Sequence, residues 1–342
     1  MSERNRSHDS WKNFHLIALV TATMTLGLSA LADRQGEATE RVLQFDYKMS
    51  LDPTEAQGKP IQLFVPLPRN GAFQSVESID VVANIEGRIE TEPRYGNRFW
   101  HATVPKAMKE PVSIEISSVV KRGSRDPGSS PNTTTRPDST PSQPFLAPNQ
   151  LVVTHDAILD PILDEMKAKG LPQDPSEKAR VIYDWVVDNI EYKKIGTGWG
   201  NGDTFWACNE RYGNCTDFHS LYISLARTEG IPARFEMGFP IPTDRNHGKI
   251  KGYHCWVEFY TEESGWFAID ASEAAKFPEK REHFFGGRSG DRIHFTTGRD
   301  LRLGPDHTGR PLNYFIYPYA EIDGQTYSGE IETSFEYQEV AS

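Results

Sequence analysis

Through residues 41–122 apolar positions recur every second residue or in short runs. The stretches "VLQFDYKMSL", "IQLFVPLP", "SIDVVANI", "RFWHATVP" and "VSIEISSVV" are separated by Pro, Gly, Asn or acidic clusters. Period-two patterning with closely spaced turn signals and no long amphipathic helix predicts a small β-sandwich-like domain of about eighty residues. The pattern stops at residues 123–144, where Ser, Thr, Pro and Gly replace large apolar residues, so a linker is expected there. A second domain should begin near Phe145 and extend to about residue 320, with residues 321–342 left as a C-terminal strand or tail.

Helical spacing dominates the start of the second domain. In "DPSEKARVIYDWVVDNI", Asp174 is a predicted N-cap, Pro175 the first helical residue and Glu177 its third, and Ala179, Ile182, Val186 and Ile190 form one stripe. Residues 195–214 read as a Gly-rich loop shaping a groove; they lack the Lys and Ser/Thr of a phosphate-binding loop. The next helix is better defined. Phe218, Leu221, Tyr222, Leu225 and Ala226 fall on one face, and Gly230, Ile231 and Pro232 supply the stop. That helix runs from about Cys215 to Glu229. After it, "PARFEMGFPI", "YHCWVEFYT" and "GWFAIDAS" are strand-like, so the helix should pack on an antiparallel sheet. The fold class expected is α+β.

The first thirty-two residues stand apart. Arg4, Arg6 and Lys12 precede an apolar stretch ending in Ala30-Leu31-Ala32, the order of a secretory signal peptide cleaved after Ala32. His15 and the Thr and Ser of the stretch make it a poor membrane span, so no stable span is expected after cleavage. The protein should be exported, periplasmic or extracellular. A net charge of −11 with no basic block argues against a nucleic-acid partner. In an oxidising compartment the odd count of cysteines, Cys208, Cys215 and Cys255, implies a free thiol or an intermolecular bridge. A Cys208–Cys255 bridge would leave Cys215 free, whereas any bridge to Cys215 would block it; sequence does not choose.

The chemistry centres on Cys215, placed where a helix begins. The partial positive charge and unpaired N–H groups of a helix N-terminus stabilise a thiolate, and the same N–H groups can hold an oxyanion. His254 on the following strand and Asp270 at the end of the next could act as base and orienting carboxylate if the two strands are neighbours. Asp217 and Glu236 lie close by in sequence and are equally well read as solvated acids. A structural zinc site could draw on Cys208, Cys215, His219, His254 and Cys255, but C-x6-C-x3-H is not a standard ligand spacing and His219 reads as a partly exposed helix residue. No metal or other cofactor is implied.

Together, "GNCTDFHSLYISLARTEGIPAR", "YHCWVEFY" and "GWFAIDAS" resemble the transglutaminase-like superfamily, over about residues 145–320. The resemblance implies a papain-like core, a helix bearing the cysteine packed on an antiparallel sheet, preceded by the small β domain. It further implies a Cys215–His254–Asp270 triad working through a thioester on a protein or peptide substrate. Hydrolysis is favoured over transamidation, because the chain shows neither the calcium-binding loop nor the added β-sandwiches of large animal cross-linking enzymes. Asn209, Trp199 and Trp206, ahead of Cys215, are candidates for a second oxyanion donor or for the groove wall. Superfamily members without catalysis leave an envelope binding or assembly protein as the alternative.

Overall fold

In the strand Glu40–Leu51 every second side chain from Leu43 to Leu51 is buried. Its antiparallel neighbour Val112–Gly123 follows the same two-residue period. A computed structural model describes residues 40–124, 143–287 and 290–340. The predicted signal peptide, residues 1–32, and most of the predicted linker, residues 123–144, lie outside them.

The β-rich part consists of two five-stranded sheets. One has the order His247–Lys249, Ile331–Val340, Glu40–Leu51, Val112–Gly123, Gln74–Ala83; the other Gln325–Thr326, Tyr319–Ile322, Ile61–Pro66, Arg98–Val104, Arg88–Thr91. Phe45 and Ile114 from the first and Leu63 and Ala102 from the second share one hydrophobic core. Neither sheet is built from residues 41–122 alone. Strands from beyond residue 240 complete both, with Phe45 opposite Tyr337 and Leu63 opposite Ala320. Strand pairing conferred by a distant segment leaves no mark on local periodicity.

A four-stranded antiparallel sheet has the order Gly265–Ile269, His254–Thr261, Ala233–Pro240, Arg292–Thr297, and a short parallel pair joins Glu191–Tyr192 to Tyr212–Gly213. The helix Cys215–Thr228 packs on the four-stranded sheet, backed by the helix Pro175–Asn189, whose N-cap Asp174 accepts from the N–H groups of Ser176 and Glu177. Ala179, Ile182, Val186 and Ile190 are all buried. Phe239 ties the four-stranded sheet to the β-rich part: its ring centroid lies 4.5 Å from that of Phe335 and 5.2 Å from that of Phe45. All described residues belong to one compact unit. Within them, no helix is long and apolar enough to cross a membrane.

One local expectation fails. Residues 195–214 are not wholly loop, because Thr204–Glu210 is a short helix capped by Asp203, which accepts from the Phe205 N–H at 2.9 Å. The Gly-rich run ahead of it masked the cap-and-helix signal.

Candidate active site

Asn214 and Asp217 fix where the cysteine helix starts. Asn214 Oδ1 accepts from the Thr216 N–H at 2.8 Å, while Asp217 Oδ2 accepts from the Asn214 N–H at 2.9 Å, a reciprocal capping box. Cys215 is thus the first helical residue, with its own N–H outside the cap. Asp217 does more than cap. It also accepts from the N–H groups of Gly200 at 2.7 Å and Gly202 at 3.0 Å, pinning the Gly-rich loop to the helix start. From the other side, buried Arg299 donates to the carbonyls of Gly202 and Asn201 and to the side chains of Ser220 and Asn313. Gly202, at φ +62°, lies so close that a Cβ there would meet Ser220 and Arg299.

This corrects three expectations. Asp217 is fully buried rather than solvated. So is Glu236, which pairs with Arg234 at 2.7 Å and with His294 Nε2 at 2.6 Å. His219, expected to be partly exposed, is also fully buried, since the polar side of the helix is covered by the loop and by Asp270 as completely as the apolar side is by the sheet.

The structure brings Cys215, His254 and Asp270 together. His254 opens its strand, and Asp270 follows the neighbouring strand, whose Ile269 stands opposite Val257. This antiparallel pairing places both at one end of the sheet, and His254 Nε2 lies 2.6 Å from Asp270 Oδ2. A carboxylate only accepts, so Nε2 carries the hydrogen and Nδ1 is left for Cys215, whose charge and that of His254 influence one another. Asp270 is itself held. Its Oδ1 accepts from Ser272 Oγ and the Glu273 N–H, both at 3.0 Å, as the N-cap of Ala271–Lys276. Its Oδ2 also accepts from the Arg292 guanidinium at 2.9 Å.

Cys255, adjacent in sequence to His254, reaches Cys215 as well. The two thiols influence each other's proton affinity, and Cys255 Sγ lies 3.5 Å from His219 Nδ1 and 3.8 Å from Thr216 Oγ1. His219 Nε2 stands 3.5 Å from Asp270 Oδ1, an ion-pair distance without hydrogen-bond geometry. Tyr253 closes the other side, its hydroxyl 2.9 Å from Thr216 Oγ1 and 3.2 Å from Asn214 Nδ2. All three cysteines are free and buried.

These contacts set the charges. The hydrogen bond from Cys255 is the strongest influence lowering the Cys215 thiol well below the ordinary range; burial opposes it, and the hydrogen bond and charge of His254 add to it. Burial disfavours the His254 imidazolium, but the charge and hydrogen bond of Asp270, with the Cys215 hydrogen bond, push it up to about 10. Asp270 is held well below the usual carboxylate range: burial opposes this, while His254, His219 and Arg292 favour the ionised form. Both directions favour a thiolate facing an imidazolium. Burial instead raises Cys208, to about 11, which favours the protonated thiol at neutral pH.

The three groove candidates are placed differently. The indole N–H of Trp199 donates to the Gly196 carbonyl at 3.2 Å and that of Trp206 to the Tyr212 carbonyl at 3.0 Å, so both are engaged with their own loop. Asn209 is exposed on the short helix Thr204–Glu210. Sequence reasoning did not assign Tyr253, Arg292 or Thr216 to the site. The cysteines do not converge as ligands with His219 and His254. Among the described residues the His/acid group that does converge is Glu90, His101 and Asp306, remote in the β-rich part, where Arg88 already pairs with both carboxylates.

The model of the transglutaminase-like superfamily matches residues 165–271, the span holding all three site residues. A protein of Haemophilus influenzae with uncharacterised function is 30% identical over 328 residues, covering 84% of this chain and 88% of that one. The chain belongs to the transglutaminase-like superfamily. The crystal structure of a candidate cysteine protease from Cytophaga hutchinsonii aligns over 89% of this superfamily member and 92% of its own chain, with TM-score 0.55 and 17% identity. At that identity the likeness establishes a shared fold across both the β-rich part and the core.

Proposed function

We propose that the protein is an exported cysteine-dependent acyl-transfer enzyme acting on peptide or amide bonds, with Cys215 as nucleophile, His254 as acid and base and Asp270 as the orienting carboxylate. The observation that carries this reading is the 2.6 Å contact between His254 Nε2 and Asp270 Oδ2, made beside a buried cysteine that is the first residue of a helix.

The Cys215 thiolate attacks the substrate carbonyl carbon, and its oxygen takes up the negative charge. The Cys215 N–H, free of the cap, and the helix dipole stabilise that oxyanion. The His254 imidazolium gives its proton to the departing amine as the C–N bond breaks, leaving a thioester on Cys215. Neutral His254 then takes a proton from water, which attacks the thioester and releases a carboxylate and the thiolate. Hydrolysis is the favoured outcome over transfer to a second amine, and the description of the Cytophaga protein as a protease candidate points the same way. Export rests on the N-terminal stretch of residues 1–32.

The deciding experiment is alkylation of the mature, unreduced protein by iodoacetamide from pH 5 to 9, each cysteine read by peptide mass spectrometry. Cys215 should label preferentially, well below the pH of an ordinary thiol, and His254→Ala should abolish that advantage. Should Cys215 stay unmodified until the protein unfolds, the nucleophile assignment fails and a non-catalytic binding role takes its place. Incubation with peptide amides and a competing primary amine, read by mass, then separates hydrolysis from transamidation.

A further inference from the structure

One oxygen of Asp270 is shared. Its Oδ2 accepts from His254 Nε2 at 2.6 Å and from an Arg292 guanidinium nitrogen at 2.9 Å. Arg292 opens the strand Arg292–Thr297, which lies two strands from that of His254, across Ala233–Pro240. On the intervening strand Gly238 is paired with His254 and Pro240 with Arg292, so the two side chains are offset by two residues along the sheet, and the position opposite His254 carries no side chain. The guanidinium is buried, lies 5.2 Å from the Trp256 ring centroid and donates through Nε to Asp291 at 3.2 Å.

A buried cation persists only where its counter-charges are fixed around it. With Cys215 as thiolate and His254 as imidazolium, Asp270 leaves one uncompensated negative charge in a buried site; Arg292 brings that group of four to neutrality. We propose that Arg292 is a positioning residue of this site, acting through Asp270. It aims one carboxylate oxygen at His254 Nε2 and supplies the charge that lets thiolate, imidazolium and carboxylate coexist while buried. The proposal rests on the reading of Cys215 as nucleophile. The other titratable groups around these four are His219 and Cys255, Lys276 and Tyr183 near Asp270, and Tyr253, Tyr192, Tyr317 and Asp217 near Cys215, with Asp291 the second counter-ion of Arg292.

Removing a positive charge makes every nearby group bind protons more readily, so the pH at which Cys215 becomes thiolate must rise. The readout is the iodoacetamide alkylation rate of Cys215 from pH 4 to 10, which needs no substrate. Arg292→Gln should move its midpoint up by about 1 pH unit. Arg292→Lys, retaining charge on a stem that does not span Asp270 and Asp291, should fall between Gln and wild type. In an Asp270→Asn background Arg292→Gln should add a clearly smaller shift, because only the direct effect of its charge remains once the carboxylate it positions is gone. A midpoint for Arg292→Gln equal to wild type, in a protein whose thermal transition shows it folded, overturns the proposal, as does a full shift in the Asn background. Should the Gln variant not fold, the Lys variant decides by the same midpoint. A wild-type protein that does not label at all is a different failure, that of the nucleophile assignment.

Discussion

Cys255 shows how much of the site depends on single side chains. Its hydrogen bond is the largest influence lowering Cys215. Cys255→Ala should therefore raise the Cys215 alkylation midpoint by about 1 pH unit while leaving the fold intact, since a buried thiol is a small hydrophobe. His254 makes a second prediction. Its ordinary value of 6.5 is raised to about 10 in the folded protein. Its contribution to stability is thus complete below about pH 6.5 and is lost as pH rises through about 10. The difference in melting temperature between wild type and His254→Ala should shrink across that window. Turnover should fall on the same alkaline limb, because neutral His254 has no proton for the leaving amine. Asp270→Asn should lower kcat/KM on the order of 100-fold or more by freeing the imidazole orientation.

At the scale of elements, the cysteine helix was legible on one side and illegible on the other. Phe218, Leu221, Tyr222, Leu225 and Ala226 announce its apolar face, and all are fully buried. Thr216, Asp217, His219, Ser220 and Ser224 are equally buried, though their types read as a solvated face. They are covered by a loop whose own glycines carry no hydrophobic signal. Asp217 therefore bears an outsized load: one carboxylate satisfies three N–H groups from two elements. Asp217→Ala should cost about 2–4 kcal/mol, the loss of a cap together with buried donors left unpaired. Urea denaturation checks the value, and proteolysis should open the Gly-rich loop first.

Across the whole molecule, the β-rich part and the core depend on each other. The strand Ile331–Val340 pairs with Glu40–Leu51, and its Phe335 packs on Phe239 of the site's own sheet. We expect one cooperative transition, with far-ultraviolet dichroism and tryptophan fluorescence changing together, in place of two domains melting apart. Phe335→Ala should lower stability by about 3–5 kcal/mol and carry the site down with it, although Phe335 belongs to the opposite end of the chain.

What the sequence by itself determined is local. Alternation marked the strands, capping and stop residues marked the helices, and motif order picked out Cys215, His254 and Asp270 as candidates. These are readable because a period, a cap or a turn is decided within a few residues by backbone geometry. Tertiary structure decided the rest. It completed both β sheets with strands from beyond residue 240, buried Asp217, His219 and Glu236, set Cys255 against Cys215, and brought Arg292 across two strands to Asp270. Each of these is a contact between segments far apart in the chain. Whether a polar side chain there meets water or a partner depends on what folds over it, which its own neighbours in sequence do not encode.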